Sequence, residues 1–356
     1  MRRRRRRSRH SGDFRPGYSG PSRPARRGVA AHGRLYGMLG GLAVIALAAA
    51  VIVLHNGGNA ASGDVPLNGV RLNTANCGTA HGRTADTASG ALLGVDATSP
   101  RQLETATAEF GHQPVLRVYY TGMPDPAAWT TGVAALNRSA VVVSFRSPPA
   151  SVLSGADDAA LAHFFDTAPT GHPIYYSYYH EPEPLIEAGD FTFAQYKAAW
   201  AHIVAIAARA HNPYLKSTLI LESWDPNPAS GRNWKNYLPG GHVISTLGWD
   251  AYPPGTVHDS NPQPKQPADF MGPAEAASRS VGLPFGFAEF ALGTPAGRPQ
   301  WLTAVANYLR GTGALFGILF NSKDFPWMEL NDSASIKAWR AAVAASGACV
   351  STASSP

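Results

Sequence analysis

Eight short apolar runs, separated by Ala-rich stretches, constrain this chain more than any other feature. They occupy residues 91–96, 114–119, 140–145, 173–179, 217–222, 243–249, 284–290 and 314–321. Several are apolar on consecutive residues, which suits parallel strands covered on both faces. Between them lie helix-like stretches such as 193–210 and 301–310. Eight strand-then-helix units in about 250 residues are what a closed (β/α)₈ barrel requires. The expected fold class is therefore α/β, a (β/α)₈ TIM barrel over residues 91–350. A doubly wound sheet is the competing arrangement, disfavoured because no strand run leads into a G-x-G-x-x-G turn.

The chain ahead of the barrel divides in three. Residues 1–34 hold twelve Arg and one Asp among Gly, Ser and Pro, too few apolar groups to fold, and read as a disordered basic tail. The whole chain carries +6, of which the tail supplies +11, leaving −5 for the remainder. The basic charge thus belongs to the tail, and no nucleic-acid groove is implied for the domain. Residues 35–54 are uncharged and predominantly apolar over twenty positions, enough for one transmembrane helix. The Arg excess on its N-terminal side places the tail in the cytoplasm and the domain outside. A cleaved secretory signal, giving a secreted domain, is the alternative; the length of the run favours a retained signal-anchor. Residues 55–90 read as a linker. Cys77 and Cys349 flank the barrel, and in an extracytoplasmic compartment they suit a disulfide joining its ends; two free thiols is the other reading.

In such a barrel, chemistry sits at the C-terminal ends of the strands. The polar residues there are Asp96, Arg146, His180-Glu181, Glu222 with the stretch Trp224-Asp225-Pro226-Asn227, Asp250, Glu289 and Asn321. Glu181 and Glu289 end the fourth and seventh runs and would face each other across the barrel mouth. Glycoside hydrolysis needs such a pair: one carboxylic acid protonates the leaving oxygen, and the other attacks the anomeric carbon or activates water. A carboxyl separation of roughly 5–5.5 Å gives retention and roughly 6.5–9.5 Å inversion. Glu289 lies among apolar and small residues, where an ionised carboxylate is costly unless hydrogen-bonded or functional. Glu183, two residues beyond Glu181 in a Pro-rich turn, reads as a solvent-facing neighbour.

These motifs resemble glycoside hydrolase family 26, the β-mannanase-type family in the clan of (β/α)₈ retaining glycosidases, over most of residues 91–345. His180-Glu181 matches the His-Glu pair of strand four. Trp224-Asp225-Pro226-Asn227 is similar to a Trp-Ser-Pro-Asn stretch. Gly248-Trp249-Asp250-Ala251-Tyr252 matches a Gly-x-Asp-x-Tyr stretch, and Ala288-Glu289-Phe290 occupies the nucleophile position. The resemblance implies Glu181 as acid/base, Glu289 as nucleophile and a mannan-like polysaccharide or oligosaccharide as substrate. One difference is that the family commonly reads Arg-Pro-x-His-Glu where this chain has Ser177-Tyr178-Tyr179-His180-Glu181, which removes a fixed positive charge.

Around the pair, Tyr252 is placed to donate a hydrogen bond to Glu289, and His180 to orient Glu181 or bind sugar hydroxyls. Asp250 and Asn321 are candidates for hydroxyl contacts, and Trp224, Trp249 and Trp327 for stacking on sugar rings. No metal site is expected, since nothing has the spacing of HExxH or paired CxxC. No cofactor is expected, and the oligomeric state is open. A Ser-His-Asp hydrolase is disfavoured by the lack of a G-x-S-x-G elbow. Two other classes stand beside the enzyme. One is a catalytically silent glycan-binding barrel of the cell envelope, and the other an envelope interaction protein whose Arg tail binds anionic lipid.

Overall fold

A computed structural model of the chain describes residues 90–97, 99–125, 127–129, 139–253, 264–323, 325 and 328–353, with side chains through residue 346. The expected tail, apolar run and linker lie outside the described residues, as do Cys77, Trp327 and the side chain of Cys349. Among the described residues no helix is long and apolar enough to cross a membrane.

The centre is a closed barrel of parallel strands in chain order: β1 (Leu92–Asp96), β2 (Val115–Tyr119), β3 (Ala140–Phe145), β4 (Ile174–Tyr178), β5 (Leu215–Glu222), β6 (Thr246–Asp250), β7 (Phe285–Phe290) and β8 (Phe316–Leu319). β8 closes on β1, with Leu92 opposite Phe316. All eight expected strands form. The sixth starts at Thr246 rather than 243, because the Ser217 hydroxyl donates to the Val243 carbonyl at 2.6 Å and occupies it with a side chain.

Around the barrel lie the α-helices α1 (Pro100–Phe110), α2 (Pro149–Leu153), α3 (Asp158–Asp166), α4 (Glu183–Ala188), α5 (Phe193–Arg209), α6 (Pro267–Ser280), α7 (Arg298–Thr312) and α8 (Ser333–Ala353), with two short 3₁₀ turns at Pro228–Ser230 and Trp234–Asn236. Their starts are written locally. The Ser99 hydroxyl accepts from the Gln102 amide at 3.3 Å with Pro100 next in line, a capped start with a preset φ. Thr192 and Gln195 form a reciprocal capping box on α5. The stripe Tyr196, Ala199, Trp200, Ile203, Ile206, Ala207 then buries one face of α5.

The apolar residues divide into two cores. Val115, Ala140, Val142, Tyr175, Ile220, Ala288, Phe316 and Ile318 form one cluster inside the barrel. The larger cluster lies between strands and helices and includes Trp200, Trp301 and Trp339. Gly286 makes room for the interior: a Cβ there would lie 2.6 Å from the Phe316 ring.

Strand alternation decides what reaches the mouth. Val115 faces inward on β2, so Arg117 and Tyr119 follow on the same face. Gly248 abuts the inward Ile220 side chain, so Asp250 points inward and Trp249 outward. On β7 strict alternation from the inward Ala288 would turn Glu289 toward the helices. The register slips there instead: Trp249 pairs with Phe287, but Asp250 pairs with Glu289. This bulge re-aims Glu289 into the mouth, a recurrent use of bulges beside active sites.

Candidate active site

Glu289 is 2% exposed and is held from three sides. The Tyr119 hydroxyl donates to its Oε1 at 2.9 Å and the Tyr252 hydroxyl to its Oε2 at 2.7 Å. Arg117 Nη2 stands 3.7 Å from Oε1. The guanidinium also lies over the Tyr119 ring, 4.2 Å from its centroid, and Nη1 donates to Ser144 Oγ at 2.6 Å. The Tyr252 bond is the one expected from sequence. The burial of these hydroxyls and the Glu289 charge push both tyrosines well above the ordinary phenol range, so they stay donors.

Glu181 is buried at 3% exposure, just past β4. Burial first, then the charges of Glu289 and Glu222, raise its carboxyl well above the ordinary range, against the opposing pull of Arg146 and Arg117. The surroundings of Glu181 therefore favour its neutral form. The chain reaches this position through two left-handed residues, Tyr179 (φ 47°) and Glu181 (φ 49°). Each costs roughly 1–2 kcal/mol for a residue with a Cβ, and such strain gathers where a side chain must be aimed. The Glu181 amide donates to the Ile220 carbonyl at 3.1 Å, tying the turn to β5.

Asp250 lies between these groups in chain order around the barrel. It is 3% exposed and neither carboxyl oxygen has a hydrogen-bond partner. Burial, then the Glu289 and Glu181 charges, raise it well above the ordinary range. His180 packs edge-on against Tyr119, with ring centroids 5.5 Å apart. Burial, then Arg146 and Arg117, hold it neutral. Its Nδ1 is buried without a partner. At the end of β1, burial drives Asp96 up to about 7, although it accepts the Asn321 amide at 2.6 Å. Asn321 in turn accepts from the Leu330 amide through Oδ1 at 2.7 Å, so its side chain braces the loop after β8.

Three sequence expectations need correction. Trp249 offers no face to a sugar. It is fully buried, its indole N–H donates to Ser278 Oγ of α6 at 2.9 Å, and it packs on Trp234. Glu183 is not solvent-facing: it is 0% exposed. The site also does not lack a fixed positive charge, because Arg117 enters from β2, on Ser144, which pairs with Ser177 across β3 and β4. Trp224 is partly exposed in the turn after β5. Sequence reasoning missed Arg117 and Tyr119. Their signal was present: an arginine within an apolar strand run needs a buried partner.

Arg232 carries a second polar cluster, behind Glu181. It pairs with Glu222, with Asp225 at 2.9 Å and with Glu187 at 2.7 Å. Burial raises Glu222 to about 7 despite the opposing Arg232 charge.

No family model matches the chain, and no curated protein matches it. Solved structures do share the fold. A double mutant of the Cellulomonas fimi endo-β-1,4-mannanase superposes with a TM-score of 0.52 at 14% identity, over 73% of this chain and 74% of that one. The catalytic domain of a GH26 endo-β-1,4-mannanase from Bacillus sp. JAMB-750 gives 0.52 at 12% identity, over 72% and 86%. The endo-1,4-β-mannanase of Rhizomucor miehei gives 0.51 at 10% identity, over 74% and 96%. The chain thus shares the (β/α)₈ architecture of β-mannanases, those of family 26 among them.

Proposed function

We propose that this chain is a retaining glycoside hydrolase acting on a β-linked, mannan-like polysaccharide, with Glu181 as acid/base and Glu289 as nucleophile. The observation that carries the reading is the contrast between two neighbouring buried carboxyl groups. Glu181 is held neutral by burial and by the charge beside it. Glu289 accepts two tyrosine hydroxyls and faces a guanidinium, contacts that favour a carboxylate. Environments that assign opposite protonation to adjacent acids mark an acid and a nucleophile.

In this scheme Glu289 attacks the anomeric carbon while Glu181 passes its proton to the departing glycosidic oxygen. Glu181, now a carboxylate, takes a proton from water, and that water displaces Glu289 with net retention. Arg117, Tyr119 and Tyr252 hold Glu289 in line, worth orders of magnitude when reacting atoms must meet at ~3–3.5 Å. Asp250 and His180 offer polar atoms to sugar hydroxyls, and Trp224 an aromatic face. Residues 35–54 anchor the chain in this reading, with residues 1–34 in the cytoplasm and the barrel outside after the 55–90 linker.

The test is hydrolysis by the full-length chain of β-mannan, β-xylan and mixed-linkage glucan, alongside Glu181→Ala and Glu289→Ala. The wild type should cleave at least one polysaccharide and both variants should lose cleavage. Binding without cleavage across the panel would discard the enzyme and leave the glycan-binding barrel.

A further inference from the structure

Glu183 has no part in the scheme above, yet it is 0% exposed and sits two residues from the acid. It opens α4, whose N-terminal residue on a short helix is ordinarily wet. Its Oε1 accepts the backbone amide of Glu222 at 3.0 Å. Its Oε2 is buried with no donor in reach, and the same is true of Asp225 Oδ2. The Asp225 charge lies close enough to Glu183 to raise its carboxyl beyond what burial does. Two buried carboxyl groups can bond only if one retains its proton.

The backbone explains why this link is needed. The β4–β5 ladder ends at Tyr176–Ser217. Beyond it the chain turns away through Tyr179 and Glu181, both at positive φ. Among the described residues, the Glu181 amide bond to Ile220 and the Glu183 side chain tie this turn to β5 and the segment after it. Asp225 and Glu222, the two groups Glu183 touches, are themselves fixed by Arg232. The clamp therefore runs from Arg232 through Asp225 and Glu222 to Glu183, and so to the turn that carries Glu181.

We propose that Glu183, in its protonated form, is a positioning residue for Glu181, donating to Asp225 while accepting from the Glu222 amide. This rests on Glu181 being the acid of the proposed reaction. The groups around Glu183 agree with a neutral carboxyl. Burial raises it, and the charges of Asp225, Glu222 and Glu181 add to this. Its other neighbours are the phenols Tyr196 of α5 and Tyr237, both neutral donors. Arg232 directs its bonds to Glu187, Glu222 and Asp225 instead.

The experiment compares Glu183→Gln with Glu183→Ala in the full-length chain. A glutamine copies the neutral acid: its amide N–H donates to Asp225 and its oxygen accepts from Glu222. Glu183→Gln should keep kcat within about threefold of wild type. Glu183→Ala should lower kcat on polysaccharide at least tenfold with little change in KM. Its loss on an aryl glycoside with a good leaving group, which needs no acid, should be small. Carboxyl ¹³C titration of Glu-labelled protein reads the same point without turnover. Glu183 should show the chemical shift of a neutral acid at pH 7, and Glu181 should titrate at a different pH in Glu183→Ala. An ionised Glu183 at pH 7, or equal defects in Gln and Ala variants, would overturn the proposal. A wild type inactive on every glycan, with the titration as described, would remove the hydrolase reading and leave the clamp standing.

Discussion

Arg117 and Arg298 are both fully buried, at 0% and 1% exposure, yet they are satisfied to different degrees. Arg298, at the start of α7, spends every nitrogen. Nε donates to Ser335 Oγ at 3.1 Å, Nη1 to the Leu292 and Glu329 carbonyls at 3.3 and 3.2 Å, and Nη2 to Asn331 and Asp332 at 3.5 and 2.5 Å. Arg117 makes one hydrogen bond, to Ser144, and leaves Nε and Nη2 without one. A buried polar group left unpaired costs roughly 1–3 kcal/mol. The molecule carries that cost at the barrel mouth and avoids it around Arg298. The same division appears in the acids. Asp250 and Glu222 keep unpartnered buried oxygens, whereas Asp332 is bonded by Arg298 and the Ser335 amide. Around Arg298 the charged groups are paired with one another, whereas the mouth keeps several charged or acidic groups short of partners.

Substitutions that separate activity from stability test this contrast. The largest effect is expected at Glu289. Glu289→Ala should lower kcat by on the order of 10⁴-fold, by analogy with removal of other nucleophile-unit residues, with melting temperature changed by only a few degrees. Arg298→Met should behave oppositely. Breaking a buried ion pair costs about 3–5 kcal/mol, which for a domain of this size is a fall of roughly 6–20 °C in Tm, while the folded fraction keeps its kcat. Arg117→Met tests both properties together. It should lower kcat by about 10²–10³-fold, the scale of losing one transition-state-stabilising donor, and lower Tm. Adding Glu289→Gln should restore Tm without restoring activity, because the stranded carboxylate is then neutral. If Arg117→Met leaves kcat intact, the arginine is frame and the contrast fails.

Smaller effects follow from pH. Glu181 is raised in the folded state, by burial first and neighbouring charges second. Its favourable contribution is present below the unfolded carboxyl range and is lost as pH rises toward the folded value. Glu181→Gln should therefore leave Tm unchanged near pH 4 and raise it by about 2–4 °C at pH 8. Asp332 goes the other way. Burial alone would raise it, but the Arg298 and Ser335 bonds prevail and lower it. Its contribution is present above the unfolded value and is lost as pH falls through the folded one. Asp332→Asn should lower Tm at pH 7, a deficit that vanishes in strong acid. Thermal melts across pH 3–9 check both signs. The smallest effect is expected at Trp224, where Ala should raise KM about threefold to tenfold with kcat nearly constant, the scale of one aromatic contact.

The barrel was legible because eight apolar runs of strand length leave few other closed arrangements. The ends of strands four and seven could be read because chemistry in this architecture sits there. What escaped depended on parity and distance. Trp249 was assigned to the mouth, though its neighbours Gly248 and Asp250 face inward and alternation sends it outward. Glu289 reaches the mouth only through a bulge that no residue pattern announces. Arg117 and Tyr119 meet Glu289 across about half the chain, so sequence shows an arginine needing a partner and not which partner. Glu183 looked exposed because its turn holds prolines, but the turn folds back onto β5.

In the proposed mechanism Glu289 is the carboxylate that bonds to the sugar, and one measurement addresses this directly. The full-length chain is incubated with an activated 2-deoxy-2-fluoro-β-mannoside or matching oligosaccharide, which slows turnover of a glycosyl–enzyme ester. The digested protein is then mapped by mass spectrometry. A fluoroglycosyl adduct on Glu289, absent from Glu289→Ala and formed with time-dependent loss of activity, is the predicted result. An adduct on another carboxylate, or inverted products from natural substrate with no adduct at all, would contradict it.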